Sequence, residues 1–283
     1  MRKTLIRIAG AAREFFFPNR CLACGELYRG EPAPRPGNPL PTDFGPLTAD
    51  YLCTACRAGY NPVQSPLCSM CGLSFKSREG EDHLCQDCAM TPKHFRRARA
   101  CGHYSGPLMN AIHRLKYGGN IQLAGPLGRL LYATFTDHFR SGDIDWVLPV
   151  PLHDSKFRKR GFNQSFLLIR EWPRFTGEAA PAARPFRIAR DILVRIKPTS
   201  PQTGLGRADR SANIRNAFRV TAPERISGRR ILLVDDVYTT GATVNECAGV
   251  LVKHHAEQVD VLTLARAMPE SVRPENPDLQ SGK

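Results

Sequence analysis

The chain has 283 residues, 42% of them hydrophobic, with 10 cysteines and a formal net charge of +14. That apolar share is ordinary for a globular protein, and no apolar run approaches the ~20 residues of a membrane-spanning helix, which excludes an integral membrane protein. So basic a chain favours anionic ligands, with phosphates and nucleic acid among them.

At the amino terminus Leu5, Ile8, Ala9, Ala12, Phe15 and Phe16 share one helical face, while Arg7, Arg13 and Glu14 interrupt any signal-peptide core. Residues 1–18 are expected to form an amphipathic helix docked on the body, not a membrane anchor. The expected compartment is the cytoplasm, with no stable membrane insertion.

Eight cysteines then form four C-x-x-C pairs: Cys21/Cys24, Cys53/Cys56, Cys68/Cys71 and Cys85/Cys88. Two such knuckles supply four thiolates in tetrahedral array around one Zn²⁺. Residues 19–92 are therefore expected to be a double zinc-finger domain with two structural zinc ions. The intervals fit, with 28 residues between the first two pairs and 13 between the last two. Sequential pairing is preferred, and an interleaved cross-brace is the alternative. Disulfides are disfavoured without a secretory signal, and four copies outside a βαβ unit do not resemble thioredoxin chemistry. Four complete pairs leave no open ligand position of the catalytic kind; the metal would stabilise a segment too poor in apolar residues to build its own core. Gly25 and Gly72 follow their knuckles, where a tight turn needs positive φ. A Pro-rich loop, residues 31–50, is inserted between the first two knuckles. Cys101 and Cys247 fall in a predicted strand and a predicted helix, as core residues.

From residue 97 the pattern alternates. A strand is predicted over Arg99–Tyr104, a helix over Pro107–Tyr117 with a Gly118-Gly119 stop, and a second helix over 121–139. Strand Asp145–Pro151, a basic loop, helix Phe162–Trp172 and strand Asp191–Ile196 follow. A long polar loop, a strand over 230–235, a helix over 243–255 and strand Val259–Arg266 complete the series. The alternation predicts an α/β domain over 97–268 with a doubly wound, mostly parallel sheet. Residues 269–283 are Pro- and charge-rich and are expected to be disordered.

The chemistry concentrates in residues 231–243, ILLVDDVYTTGAT. A continuous apolar run suits a strand covered on both faces, and Asp235 and Asp236 are expected at its carboxyl end, where open α/β sheets hold ligands. Two carboxylates there can accept hydrogen bonds from a vicinal diol or steady a bound Mg²⁺ indirectly. Thr239, Thr240, Gly241, Ala242 and Thr243 then form a turn at a helix N-terminus, where orphan amides and the helix dipole cradle phosphate. Together they describe a ribose 5-phosphate site. No P-loop and no G-x-G-x-x-G after a strand offers a rival nucleotide site. Residues 153–230 add 18 Lys/Arg against 6 Asp/Glu. The densest cluster, Lys156, Arg158, Lys159 and Arg160, lies directly before Gly161, where guanidinium forks would suit a pyrophosphate or a nucleic-acid backbone.

The 231–243 segment closely resembles the phosphoribosyl pyrophosphate (PRPP) motif of type I phosphoribosyltransferases. The chain past Arg20 resembles the ComF family (competence protein F, with the GntX-type proteins) in five stretches: the C-x-x-C knuckles, His113–Gly119, Val150-Pro151-Leu152 running to Arg160-Gly161-Phe162-Asn163-Gln164, the PRPP motif, and Gln202-Thr203-Gly204-Leu205 through Arg207, Arg210 and Asn213. The resemblance implies a zinc-bearing amino-terminal domain on a type I phosphoribosyltransferase fold, with PRPP and Mg²⁺ as ligands. It places Lys116 and Pro151 with Lys156, Arg158 and Arg160 on the pyrophosphate side. It also implies a role in natural transformation, handling internalised single-stranded DNA with DNA-uptake proteins. Tyr238 stands where the family usually has an aliphatic residue, and the Pro-rich insert is longer than typical. Two functions stay open: a Mg²⁺-dependent phosphoribosyltransferase with an unidentified acceptor, or a non-catalytic PRPP sensor that binds single-stranded DNA.

Overall fold

The computed structural model describes residues 19–21, 23–28, 51–77, 79–179, 186–198 and 214–269. The expected helix over 1–18, the loop over 31–50, the stretch from Gln202 to Asn213 and the tail from 270 onward lie outside the described residues.

The cysteine-rich part consists mostly of turns. Strands β1 (Asn19–Arg20) and β2 (Leu27–Tyr28) pair antiparallel across the first knuckle. Helix α1 (Thr54–Ala58) starts from Cys53 as its cap and α2 (Gln86–Met90) from Cys85. Gly25 and Gly72 have φ of 89° and 67°, as the knuckle turns require.

The α/β part runs β3 (Ala98–His103), α3 (Gly106–Tyr117), a 3₁₀ turn at Ile121–Leu123, α4 (Ala124–His138), β4 (Trp146–Pro149), α5 (Asp154–Arg160), α6 (Gln164–Ile169) and α7 (Trp172–Ala179). It continues with β5 (Arg187–Ile188), β6 (Leu193–Arg195), β7 (Phe218–Val220), β8 (Arg230–Tyr238), α8 (Ala242–Lys253) and β9 (Gln258–Arg266). Five strands form one parallel sheet in the order β3-β9-β8-β4-β5. Side chains alternate across the pleat of β8. Leu232 and Val234 join the core under α3, α4, α6 and α7, whereas Ile231 and Leu233 join the core shared with α8, β6 and β7. Both faces are covered, which is why the strands are continuously apolar. The first core is closed by aromatic packing, with Phe135 and Trp172 ring centroids 5.3 Å apart and the Trp172 indole N–H donating to the Gly128 carbonyl at 3.1 Å.

Three expectations need correction, and one strand had none. The segment after β4 is not a loop but α5, because His153 caps its start and Gly161, with φ of 81°, closes it. The helix expected over Phe162–Trp172 is split into α6 and α7, the second restarting at Trp172-Pro173, since a proline can only sit in a helix's first turn without losing a bond. The strand expected over Asp191–Ile196 does not enter the main sheet; β6 pairs antiparallel with β7 in a separate two-stranded flap. Edge strand β5, only two residues long, carries too short an apolar signal to be read from sequence.

Candidate functional site

Strand β8 does not stop at Asp235 and Asp236 but runs on to Tyr238, still paired with β9. Its other neighbour stops earlier: the last β4 pair is Pro149 with Val234. The two carboxylates therefore lie just past the end of β4, on a strand with one side uncovered. The carboxyl edge of the sheet is where they were expected, reached by a neighbour ending and not by β8 ending.

Each carboxylate has its own support. Asp236 is buried, at 4% exposure, and takes a 2.8 Å ion pair from Lys116 Nζ near the end of α3. Burial works against the Lys116 ammonium, but the Asp236 carboxylate outweighs it and raises its pKa. The second oxygen, Asp236 Oδ2, is buried and has no hydrogen-bond partner among the described residues. Asp235 Oδ1 accepts from Ser165 Oγ at 3.0 Å and from the Asp236 N–H at 2.9 Å. Burial, then the adjacent Asp236 charge, push the Asp235 carboxyl up to about 7. Among the described residues, Lys116 is thus the one cation ion-paired with either acid, one lysine against two carboxyls.

The stretch from Arg160 to Ser165 explains how Ser165 reaches Asp235. Asn163 Oδ1 caps α6 through the Ser165 and Phe166 N–H groups, and its Nδ2 donates to the Val150 carbonyl at 3.1 Å, which ties the helix to the end of β4. Arg160 donates to Gln164 Oε1. On α5 a spacing of four puts Lys156 and Arg160 on one face. Lys156 is partly buried, and its ammonium is held below its usual range by burial and by the charges of Arg195, Arg160 and Lys116. Arg158 and Lys159 are exposed. Pro151 is buried at the exit from β4. So Lys116 meets the Asp pair directly, Lys156 lies within electrostatic reach of Lys116, Arg160 and Arg195, and Arg158 is exposed.

Two members of this group escaped the sequence reading. Ser165 is fully buried and follows the Asn163-Gln164 motif directly, so a hydroxyl at the start of a predicted helix was the available signal. Arg195, within electrostatic reach of Asp235 and with its guanidinium 5.5 Å from the Phe218 ring centroid, comes from the β6–β7 flap. No local pattern in the sequence foretold it.

The turn after β8 has the expected form. Gly241 caps α8 with φ of 78°, and Ala242 N–H donates to Thr240 Oγ1 at 3.4 Å. A side chain at 241 is excluded twice, by that φ and by the Tyr238 hydroxyl, which occupies the place its Cβ would take. Thr239, Thr240, Ala242 and Thr243 are partly exposed around it.

The eight knuckle cysteines gather into two groups, Cys21/Cys24/Cys53/Cys56 and Cys68/Cys71/Cys85/Cys88, each with its sulfurs within 4.8 Å of one another. The pairing is sequential. Four sulfurs about 2.3 Å from a tetrahedral zinc stand about 3.8 Å apart. Cys24 and Cys53 Sγ are 3.8 Å apart, as are Cys71 and Cys85 Sγ. Backbone N–H groups point at these sulfurs, Cys56 to Cys53 Sγ and both Cys71 and Cys85 to Cys68 Sγ, as a thiolate requires. Both groups fit zinc. Cys101 and Cys247 are separate core thiols; burial pushes Cys101 up to about 12 and raises Cys247 as well.

The phosphoribosyl transferase domain family matches residues 179–281. Competence protein F of Haemophilus influenzae is 31% identical over 232 residues, 77% of this chain and 98% of that protein. DNA utilization protein YhgH of Escherichia coli is 32% identical, covering 77% of this chain and 91% of its own length. Competence protein ComFC of Bacillus subtilis is 26% identical, covering 77% and 85%. Among solved structures, a hypoxanthine phosphoribosyltransferase from Staphylococcus aureus aligns over 54% of this chain and 73% of its own at 13% identity, with a TM-score of 0.28, too low to bear on the fold. A parallel sheet of phosphoribosyltransferase type, two Cys₄ groups ahead of it and likeness to competence protein F over 77% of this chain agree, and the chain belongs to the ComF family.

Proposed function

We propose that this chain binds PRPP with Mg²⁺ at the carboxyl edge of its sheet and works in DNA uptake. The observation that carries the ligand is the buried Asp236 Oδ2, which has no partner among the described residues, five residues before Gly241, where the chain turns into α8. A buried acceptor without a donor is costly, and a ribose hydroxyl supplies the donor. Asp235, Asp236 and their Lys116 and Ser165 supports would take the ribose diol. Thr239, Thr240, Gly241, Ala242 and Thr243 would take the 5-phosphate, and Lys156 and Arg160 the pyrophosphate. The fit to Mg²⁺ rests on the same imbalance: two adjacent acids with one lysine leave room for a divalent cation beside the diphosphate. The names of the relatives, a competence protein and DNA utilization proteins, support the biological setting.

Calorimetric titration with PRPP and Mg²⁺ tests this. The wild type is expected to bind, and Asp235→Asn and Thr240→Val to stay folded but bind more weakly; equal affinity in all three would remove the diol and phosphate assignments. Pyrophosphate release in the presence of candidate acceptors then separates a transferase from a sensor. The second reading, contact with single-stranded DNA, is favoured by exposed Arg158 and Lys159 beside Phe157, which is 48% exposed, and by Tyr117, 74% exposed. Exposed rings among cations are what stacking bases and their phosphates need.

A further inference from the structure

Arg266, the last residue of β9, is 6% exposed, yet it carries a full charge. Its guanidinium joins two parts of the molecule far apart in sequence. On one side Nε donates to the Cys71 carbonyl at 3.2 Å, and Nη2 lies 3.7 Å from Cys71 Sγ, a sulfur of the second Cys₄ group. On the other side Nη1 donates to the carbonyls of Thr239 at 2.7 Å, Tyr238 at 3.3 Å and Ala267 at 2.8 Å. The same guanidinium covers the Tyr238 ring, 4.2 Å from its centroid. Tyr238 in turn presses its hydroxyl against Gly241, the residue that turns the chain into α8.

A second contact runs in parallel. The segment that leaves Cys88 reaches α8: the His94 N–H donates to Asn245 Oδ1 at 2.8 Å, and Phe95 meets the Tyr238 ring edge-on with centroids 6.3 Å apart. The backbone of the phosphate turn is thus held from the metal side by one fork of charge and one aromatic edge. An arginine keeps this geometry because its planar fork is rigid and its charge cannot be lost by deprotonation.

We infer that Arg266 is a positioning residue through which the second Cys₄ group, when it holds its metal, fixes the shape of the 239–243 turn and so sets affinity for the phosphate end of PRPP. This rests on the PRPP reading above. Such coupling is reciprocal: if the filled metal group favours the ligand, the ligand favours the filled metal group. A purely packing role for Arg266 predicts no such reciprocity.

Two measurements on the full chain decide it. Arg266→Met keeps the stem and removes the fork; with two zinc ions still present by metal analysis, its affinity for PRPP and Mg²⁺ is expected to fall about 10-fold. Arg266→Lys, which keeps the charge without the fork, should recover only part of the loss. In the wild type, zinc release to a colorimetric chelator is expected to be biphasic, and saturating PRPP with Mg²⁺ should slow one phase only. Should Arg266→Met fail to fold, the release experiment stands by itself. Full PRPP affinity in zinc-loaded Arg266→Met, or release traces that PRPP leaves unchanged, would overturn the coupling while leaving PRPP binding intact. Absence of PRPP binding in the wild type would instead overturn the ligand reading, and the coupling with it.

Discussion

Asp235 is the residue whose chemistry changes most with its surroundings. Its proton is held to about pH 7 in the folded chain, against about 4 when unfolded. The stabilisation is therefore complete below about pH 4 and is lost as the pH rises through about 7. Burial sets this first and the Asp236 charge second; Lys116, the Asp236 N–H and the Ser165 hydroxyl on α6 oppose it, and the Arg195 guanidinium lies within electrostatic reach. The ligand-free protein is expected to melt at lower temperature near pH 7.5 than near pH 5.5 and to lose that slope in Asp235→Asn; parallel curves for the two proteins would refute the assignment. Asp236 behaves differently, because removing it strands Lys116. Asp236→Asn is expected to cost about 3–5 kcal/mol of stability, measured by denaturant unfolding. The pair itself was legible in the sequence as Asp-Asp after an apolar run, and the Thr/Gly turn as a helix start. Ser165, Arg195 and Arg266 were not, since each acquires its role from a partner at least 27 residues away.

At the scale of elements, α5 shows how a wrong local assignment hides a correct cluster. Read as a loop, Lys156, Arg158, Lys159 and Arg160 are four equivalent cations. Read as a helix they divide, with 156 and 160 on the inner face and 158 and 159 outward. The signals for the helix were weak: a histidine cap is unusual, and its seven residues, five of them charged, bury no side chain. Function is expected to divide the same way. Lys156→Ala or Arg160→Ala should weaken PRPP binding. Arg158→Ala with Lys159→Ala should leave it unchanged and lower the salt dependence of single-stranded DNA binding by about 0.7 in log–log slope per lost phosphate contact. Titrations of both ligands across a salt series check this, and equal losses of PRPP affinity from the two pairs would show that α5 has no inner and outer role. The β6–β7 flap was half legible: its first strand was foreseen, but its partner lay in what read as polar loop, and pairing between them is a tertiary fact.

Over the whole molecule, the clearest sequence signal was the cysteine arithmetic, because metal chemistry fixes spacing locally. Metal analysis is expected to give two zinc ions per chain, and Cys68→Ser to lose one and lower the melting temperature of the amino-terminal part; a reduced, folded protein with no zinc would be decisive against both groups. Strand order was beyond the sequence, because several orders satisfy the same alternation of elements. That order governs assembly in time. The strand that comes last, β9, lies between β3 and β8. Until residues 258–266 are made, β3 has no neighbour in the sheet and β8 has only β4. A ribosome therefore releases the cysteine-rich segment ready to fold on metal long before the sheet can close, and the incomplete sheet waits with two apolar edges open to other chains. Synthesis that stops before residue 258 should yield aggregates rather than a shortened enzyme or sensor, while zinc supply early in translation decides only the part already made.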